Sequence, residues 1–528
     1  MRIGGQLRRV ALAAGIAWLG GCGTAPPQPA PLPQAPDVSG IHAFLRSHHA
    51  EDARFQSVAD RPYLKVDLRL RYELDAYPAS GATTAQREFI ATTLEHAAAV
   101  GERAVSLALA WVNADELAAW NRAHGVPAGA DPRAAAFAAY RDDSRARLRA
   151  ELGRVRALAD AAAVSAYWSA FTAAIEESIM TRGRLARKLL NAPAVPFING
   201  WIAYHNRHDY RGPRAPKFAD AITFRPDPER ARPFGMERAD WRLLQRYAPI
   251  VVQERSAQPA YPGEYDRFGR VALRGEQLDT ALPAVDTDVP TVYAYIDRKR
   301  IQGVEVRQLN YTIWYPRHPA MSLFDPEAGA LDGWTVRISL DQADRPRLVE
   351  SVSNCGCYYK IFPGAALEAE SRAAYGDRLA GKTLYIEGHV TDGVDAVVPE
   401  TIPGLETATY GITLYMSAGH HQLVTIRAHA PSGDIPGDNA RPYLLAAYDE
   451  LEQLPFHDRR ASLFATDGLV REAHRRECVL LSPSGLYHAG HPRQRETQMI
   501  YFDEANLDDP GLLERYLRLP PRAFGPGA

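Results

Sequence analysis

The chain has 528 residues, with 61 Lys and Arg against 63 Asp and Glu and a formal net charge of −2. That balance leaves no basic excess or stripe of the kind nucleic-acid binders carry, so nucleic acid is not an expected partner. The length admits two or three domains, or one domain with large additions, and 39 glycines with 39 prolines are ordinary for a globular protein of this size.

The first element is a targeting signal. Arg2, Arg8 and Arg9 precede a short apolar run from Val10 to Leu19, which closes on Leu19-Gly20-Gly21-Cys22. A basic start, a short apolar core and small residues before a cut describe a secretory signal peptide over 1–21. About ten apolar residues are too few for a bilayer span, which takes about twenty. The residues ending at Cys22 resemble the lipobox of bacterial lipoproteins. That resemblance implies that Cys22 is lipidated, carries palmitate-type chains and anchors the protein in a membrane. Gly23 in place of Asp implies sorting to the outer membrane, facing the periplasm. Gly23 to Pro36 holds six prolines, so residues 22–40 read as an extended tether.

Residues 41–199 read as a helical bundle with one exception. Leu64, Val66, Leu68, Leu70, Tyr72 and Leu74 alternate with charged residues, a strand pattern over Tyr63 to Asp75. Thr83 with Gln86, and Asn113 with Glu116, have the spacing of capping boxes. Asp131-Pro132 supplies an N-cap and a proline at the first helical position. Leu148, Leu152 and Val155 continue that helix, and Trp168, Phe171, Ile175 and Ile179 form the next apolar stripe. Prolines 213, 216, 226, 228 and 233 make residues 200–241 an irregular connection.

Residues 242–440 read as β-rich. Candidate strands are Thr291–Asp297, Val304–Tyr315, Trp334–Leu340, Leu348–Ser353, Lys382–Val390, Tyr410–Met416 and Gln422–Ala428, punctuated by Asp-Gly at 332–333 and 392–393. Without helices between them they suggest an antiparallel, sandwich-like arrangement. Residues 441–528 are mixed and end in a helix near Leu512 to Tyr516. The fold class is therefore α+β, with an N-terminal helical bundle followed by an antiparallel β-rich domain.

Four polar groups could carry chemistry. Export would place the cysteines in an oxidising compartment, and lipidation of Cys22 leaves three: Cys355, Cys357 and Cys478. Cys355-Gly356-Cys357 could close a tight disulfide, offer two thiolates to Zn or Cu(I), or give one partner to Cys478, and buried free thiols are a further alternative. His420-His421 sits in a turn between two expected strands, near Met416, and could complete a metal site with Cys355 and Cys357. In the third group, His205 and His208 stand beside Asp209, as a base and its orienting group would. The fourth, Tyr487 to Arg493, is a polar turn with His488 and His491 that could line an anion pocket. No hydrolase elbow or dinucleotide fingerprint is present in the sequence.

Gln308 to Pro316, Leu331 to Trp334 and Cys355 to Tyr358 resemble segments of a group of proteobacterial exported proteins to which no activity is attached. Tyr247-Ala248-Pro249 with Tyr311 to Pro316 is loosely similar to the sandwich domains of necrosis-inducing toxins. Those carry a metal-binding His-Asp segment where this chain has Asp332-Gly333-Trp334, without the histidine. The expectation is an envelope-anchored lipoprotein acting as a binding or assembly component through a protein partner or small ligand. The alternative is a metal-dependent or thiol-redox enzyme built on Cys355, Cys357, His420 and His421. A hydrolase on His205 or His208 would further need a nucleophile beside one of them.

Overall fold

In the computed structural model, the first six helices among the described residues are α1 (Val38–Ser47), α2 (Leu68–Leu74), α3 (Thr83–Leu109), α4 (Ala114–Ala123), α5 (Pro132–Ala157) and α6 (Ala161–Ala173). The residues described are 38–175, 216–376, 398–477, 492, 495 and 507–525, apart from 49, 51–53, 127–130, 230–231, 234–235, 259–262, 321–324, 326, 409, 430–439, 466–467 and 474. The signal and tether, His205, His208, Asp209, Ile179, the 382–390 strand, Cys478 and all of Tyr487 to Arg493 except Pro492 lie outside them.

Helix α3 buries Ile90, Leu94, Ala97, Gly101, Ala104, Val105 and Ala108, a face spaced by threes and fours. Against it pack Tyr140 and Val155 of α5 and Val164, Trp168 and Phe171 of α6. Two expected caps form. Asn113 accepts from the Asp115 and Glu116 amides at 2.8 and 3.4 Å, and Asp131 accepts from the Arg133 amide ahead of Pro132. The Thr83–Gln86 box does not form, because the Gln86 amide donates instead to the carbonyls of Pro78 and Ala79. Nor is Tyr63 to Asp75 a strand. Only β1 (Gln56–Ser57) and β2 (Lys65–Val66) pair there, and α2 follows. Asp67 caps α2 by accepting from the Leu70 amide, and Arg69 pairs with Glu73 one turn on. Those local helix signals outweigh the alternation.

The α+β class holds. A ten-stranded mixed sheet runs in the order β11-β10-β9-β8-β7-β14-β3-β4-β12-β13. Its strands are β3 (Ala221–Pro226), β4 (Ile250–Glu254), β7 (Thr291–Ile301), β8 (Val304–His318), β9 (Gly329–Leu340), β10 (Pro346–Ser353), β11 (Lys360–Pro363), β12 (Tyr410–Met416), β13 (Leu423–His429) and β14 (Arg441–Ala447), while β5 (Arg270–Arg274) and β6 (Leu282–Asp286) pair with each other outside it. Antiparallel pairing runs through β7 to β11 and the β12–β13 hairpin. Three parallel pairs (β4–β12, β3–β14 and β7–β14) join these blocks, so the sheet is mixed rather than wholly antiparallel.

Two further differences have physical causes. The 200–241 stretch is not merely a connection, since β3 lies inside the sheet between β14 and β4 and helix α7 begins at Arg238 (Arg238–Tyr247). Pro226 is tolerated because it ends its strand. The polar residues alternating along β9 do not face water: Thr335, Arg337 and Ser339 are buried. They are satisfied across the sheet, Thr335 by Thr312 at 3.0 Å and Ser339 by Gln308 at 2.9 Å. Arg337 forms a two-pronged pair with Glu350 directly opposite on β10, which also accepts from the Tyr359 hydroxyl. Residues Val38–Ala528 form one compact unit. Among the described residues no helix is long and apolar enough to cross a membrane.

Replacing Arg337 by Leu leaves the Glu350 carboxylate buried without its cation. Urea unfolding of R337L is expected to show a loss of about 3–5 kcal/mol, and the double variant R337L/E350L a smaller one.

Candidate functional site

The site lies where β8 ends, β9 begins and the β12–β13 turn folds over them. The register places Asp332 of β9 opposite Tyr315 of β8, and the chain leaves β8 at His318-Pro319. Next to Asp332, Gly333 is required: a Cβ there would lie 2.0 Å from Asn354 Nδ2 and 2.6 Å from the Ile313 carbonyl oxygen. Asp332 is 4% exposed and accepts four hydrogen bonds. The donors are His421 Nδ1 at 2.8 Å, His318 Nδ1 at 3.1 Å, Arg475 Nη2 at 2.5 Å and its neighbour's amide, Gly333 N–H, at 2.8 Å. Burial alone would raise its pKa, but the Arg475 guanidinium and the two imidazoles hold the carboxyl well below the usual carboxylate range.

The turn carrying His420 and His421 is fastened by a second buried acid. Asp266 accepts from the Gly419 amide at 2.7 Å and the Ser256 amide at 2.6 Å. His421 adopts a left-handed conformation (φ 49°), stacks on Tyr315 at 3.9 Å between centroids, and points Nε2 at Asp266, 3.3 Å away. That last contact is an ion pair rather than a well-directed hydrogen bond. Burial pulls the His421 pKa down, yet the two carboxylates together raise it. Both ring nitrogens of His421 face carboxylates, and it is not among the three residues whose ligand atoms converge.

His420 and His318 differ from it. Their rings meet edge to face at 5.2 Å, and one ligand atom each from His318, Glu327 and His420 lies within 4.8 Å of the others. His318 Nε2 is buried without a hydrogen-bond partner, its nearest acid being Glu327 at 3.8 Å. The other ring nitrogen is held by Asp332, and the Tyr358 hydroxyl donates to Glu327. Two imidazoles and one carboxylate, two of them oriented by outer partners, form a donor set suited to zinc or another divalent transition metal. Glu327 and His420 are part-exposed, giving the site an open side.

Cys355 and Cys357 are buried free thiols in the turn between β10 and β11 and are not members of that trio. The sequence-based set of two cysteines and two histidines is thus not assembled among the described residues, and Met416 belongs to the apolar core. The turn still reaches the site, because Tyr358, left-handed at φ 58°, is the residue that holds Glu327. The Cys357 thiol hydrogen-bonds to the Cys355 sulfur and draws its pKa down to about 6, with burial opposing and Arg475 and Ser353 assisting. Cys357 is pushed up by the same bond and by burial. His318, Glu327, Asp332, Asp266 and Arg475 were not legible as a site. Of these, only Asp332 lay in a segment the sequence singled out, and the structure sets His318 and His421 against it.

No protein-family model, curated protein or solved structure matches this chain.

Thiolate absorbance in the ultraviolet is expected to appear with a midpoint near pH 6, and C357A, which removes the donor, to move that midpoint upward. Since an unfolded thiol titrates at about 8.5, the Cys355 contribution to stability is present above that pH and is lost as pH falls through the folded value. A midpoint unchanged in C357A would remove the thiol–thiol bond as its cause.

Proposed function

We propose that this protein is an envelope-anchored lipoprotein that binds a divalent metal ion at His318, Glu327 and His420 for hydrolytic chemistry. The observation that carries the reading is the buried, unbonded Nε2 of His318, aimed toward Glu327 while its Nδ1 is bound to Asp332. A proton on Nδ1, shared with Asp332, leaves the lone pair on Nε2, the form a metal requires. Three protein donors with an open side are the pattern of catalytic rather than structural zinc, which supplies Lewis acidity and an acidified water when bound. The chain's own part is orientation. Asp332 fixes His318, Tyr358 fixes Glu327, and Arg475 with His421 balances the charge of Asp332. A second reading, thiol chemistry at Cys355, draws on its lowered pKa and paired thiol. The anchoring part of the proposal rests on the lipobox-like residues ending at Cys22.

Metal analysis of the purified full chain after dialysis against zinc is expected to give one ion per chain. H318Q, E327Q and H420Q should each lose it, and D332N should weaken binding about 10–100-fold. The C355S/C357S double variant should retain the metal. Zinc that follows the cysteines and ignores His318 and His420 would overturn the assignment in favour of the thiol reading. In cells, C22S should abolish palmitate labelling and release the protein from the membrane fraction, and continued labelling would remove the anchor.

A further inference from the structure

The turn between β10 and β11 holds two thiols that metal binding does not use. Cys355 and Cys357 are buried and free, and one residue separates them. That residue is Gly356 at φ 97°, a conformation that L side chains rarely adopt. It lets the chain double back: the Gly356 amide donates to the Ser353 carbonyl at 2.9 Å, and the Ser353 amide to the Cys357 carbonyl at 3.0 Å. The two side chains meet as a result. The Cys357 thiol donates to the Cys355 sulfur, and Ser353 Oγ lies 3.0 Å from that same sulfur. Thiols already in hydrogen-bond contact need little movement to join.

The same turn carries a contact that orients the metal-capable trio. Its first half is pinned to β8 and β9. The Asn354 amide donates to the Gly333 carbonyl at 2.9 Å, and its side chain donates to the Ile313 carbonyl at 3.3 Å and accepts from the Thr335 hydroxyl at 2.8 Å. Its second half runs into Tyr358, whose hydroxyl donates to Glu327. A change in the spacing of the two sulfurs therefore falls on the Tyr358 end, and Glu327 is what Tyr358 holds. The Arg475 guanidinium, which binds Asp332, also stands near enough to favour the Cys355 thiolate.

We propose that hydrogen peroxide converts Cys355 and Cys357 to a reversible disulfide, and that closing it weakens metal binding at His318, Glu327 and His420. The second half rests on the metal assignment made above. The Cys355 thiolate attacks one peroxide oxygen. An S–O bond forms as the O–O bond breaks, and the departing hydroxide takes a proton from solvent. The Cys357 sulfur then attacks the sulfenic sulfur of Cys355. The S–S bond forms, the S–O bond breaks, and the departing hydroxide leaves as water with the Cys357 proton. Two electrons pass from the sulfur pair to one peroxide. Each cysteine is 2% exposed, which bars a bulky disulfide from in-line approach to the sulfur and selects an oxidant little larger than water.

The test treats the reduced full chain with hydrogen peroxide, removes the oxidant and reads two quantities. Trypsin releases both cysteines in one peptide, Leu348 to Lys360. Its mass is expected to fall by two hydrogens and to be restored by a phosphine reductant. Calorimetric titration with zinc is expected to show affinity at least about tenfold weaker in the oxidised chain, the scale for losing the partner of a metal ligand. C355S/C357S should bind zinc equally with and without peroxide, and C357A should stop at a Cys355 sulfenic acid that dimedone traps. Y358F should itself weaken zinc binding, and oxidation of that variant should cost little more. No mass loss in the peptide, or a disulfide that leaves zinc affinity unchanged, overturns the proposal. A reduced chain that binds no zinc overturns the metal assignment, and the metal half of this proposal with it.

Discussion

The carboxylate of Asp332 is the interaction on which the rest of the site depends. A buried anion is costly unless several donors surround it, and here four converge from β8, β9, the β12–β13 turn and the segment holding Arg475. Asp332 and Arg475 lie 143 residues apart in sequence, so one charge gathers distant pieces of chain. The same charge sets the roles of the two imidazoles it binds. His421 meets a second acid at its other ring nitrogen, whereas Nε2 of His318 meets none at hydrogen-bond distance.

Much of the fold was legible because local signals and tertiary packing agree there. The α5 start at Asp131-Pro132, the apolar stripe through Trp168 and Phe171, and the strand over Tyr410–Met416 all follow from patterns within a few residues. Reading failed where two local signals compete. In Leu68 to Leu74 the alternation of leucines is as visible as the Asp67 cap, but the cap and the Arg69–Glu73 pair prevail. The parallel joints were out of reach for a different reason. Pairing of β14 with both β3 and β7 leaves no periodic trace in any one segment.

The site was half legible in the same sense. Cys355-Gly356-Cys357 and His420-His421 stood out by their local composition, and both turns do border the same buried cluster. Their roles did not follow from composition. The cysteine turn contributes through Tyr358, and of the paired histidines only His420 joins the metal-capable trio. Residues placed left-handed without being glycine, Tyr358 and His421, mark both turns. Such backbone strain persists where surrounding contacts over-determine it, and here those contacts are Glu327, Asp332, Asp266 and the Tyr315 ring.

The position of β14 bears on how the chain is made. This strand, residues 441–447, is the seam between the β7–β11 block and the β3, β4, β12, β13 block. A chain emerging N-terminus first can form the helical region and the long hairpins early, since their contacts are local. It cannot join the two halves of its sheet until residue 447 has arrived. Up to that moment β7 and β3 each present an open edge of unpaired backbone groups, the kind of edge that recruits other chains. The late seam thus makes assembly of the sheet a race between completing the chain and meeting a neighbour.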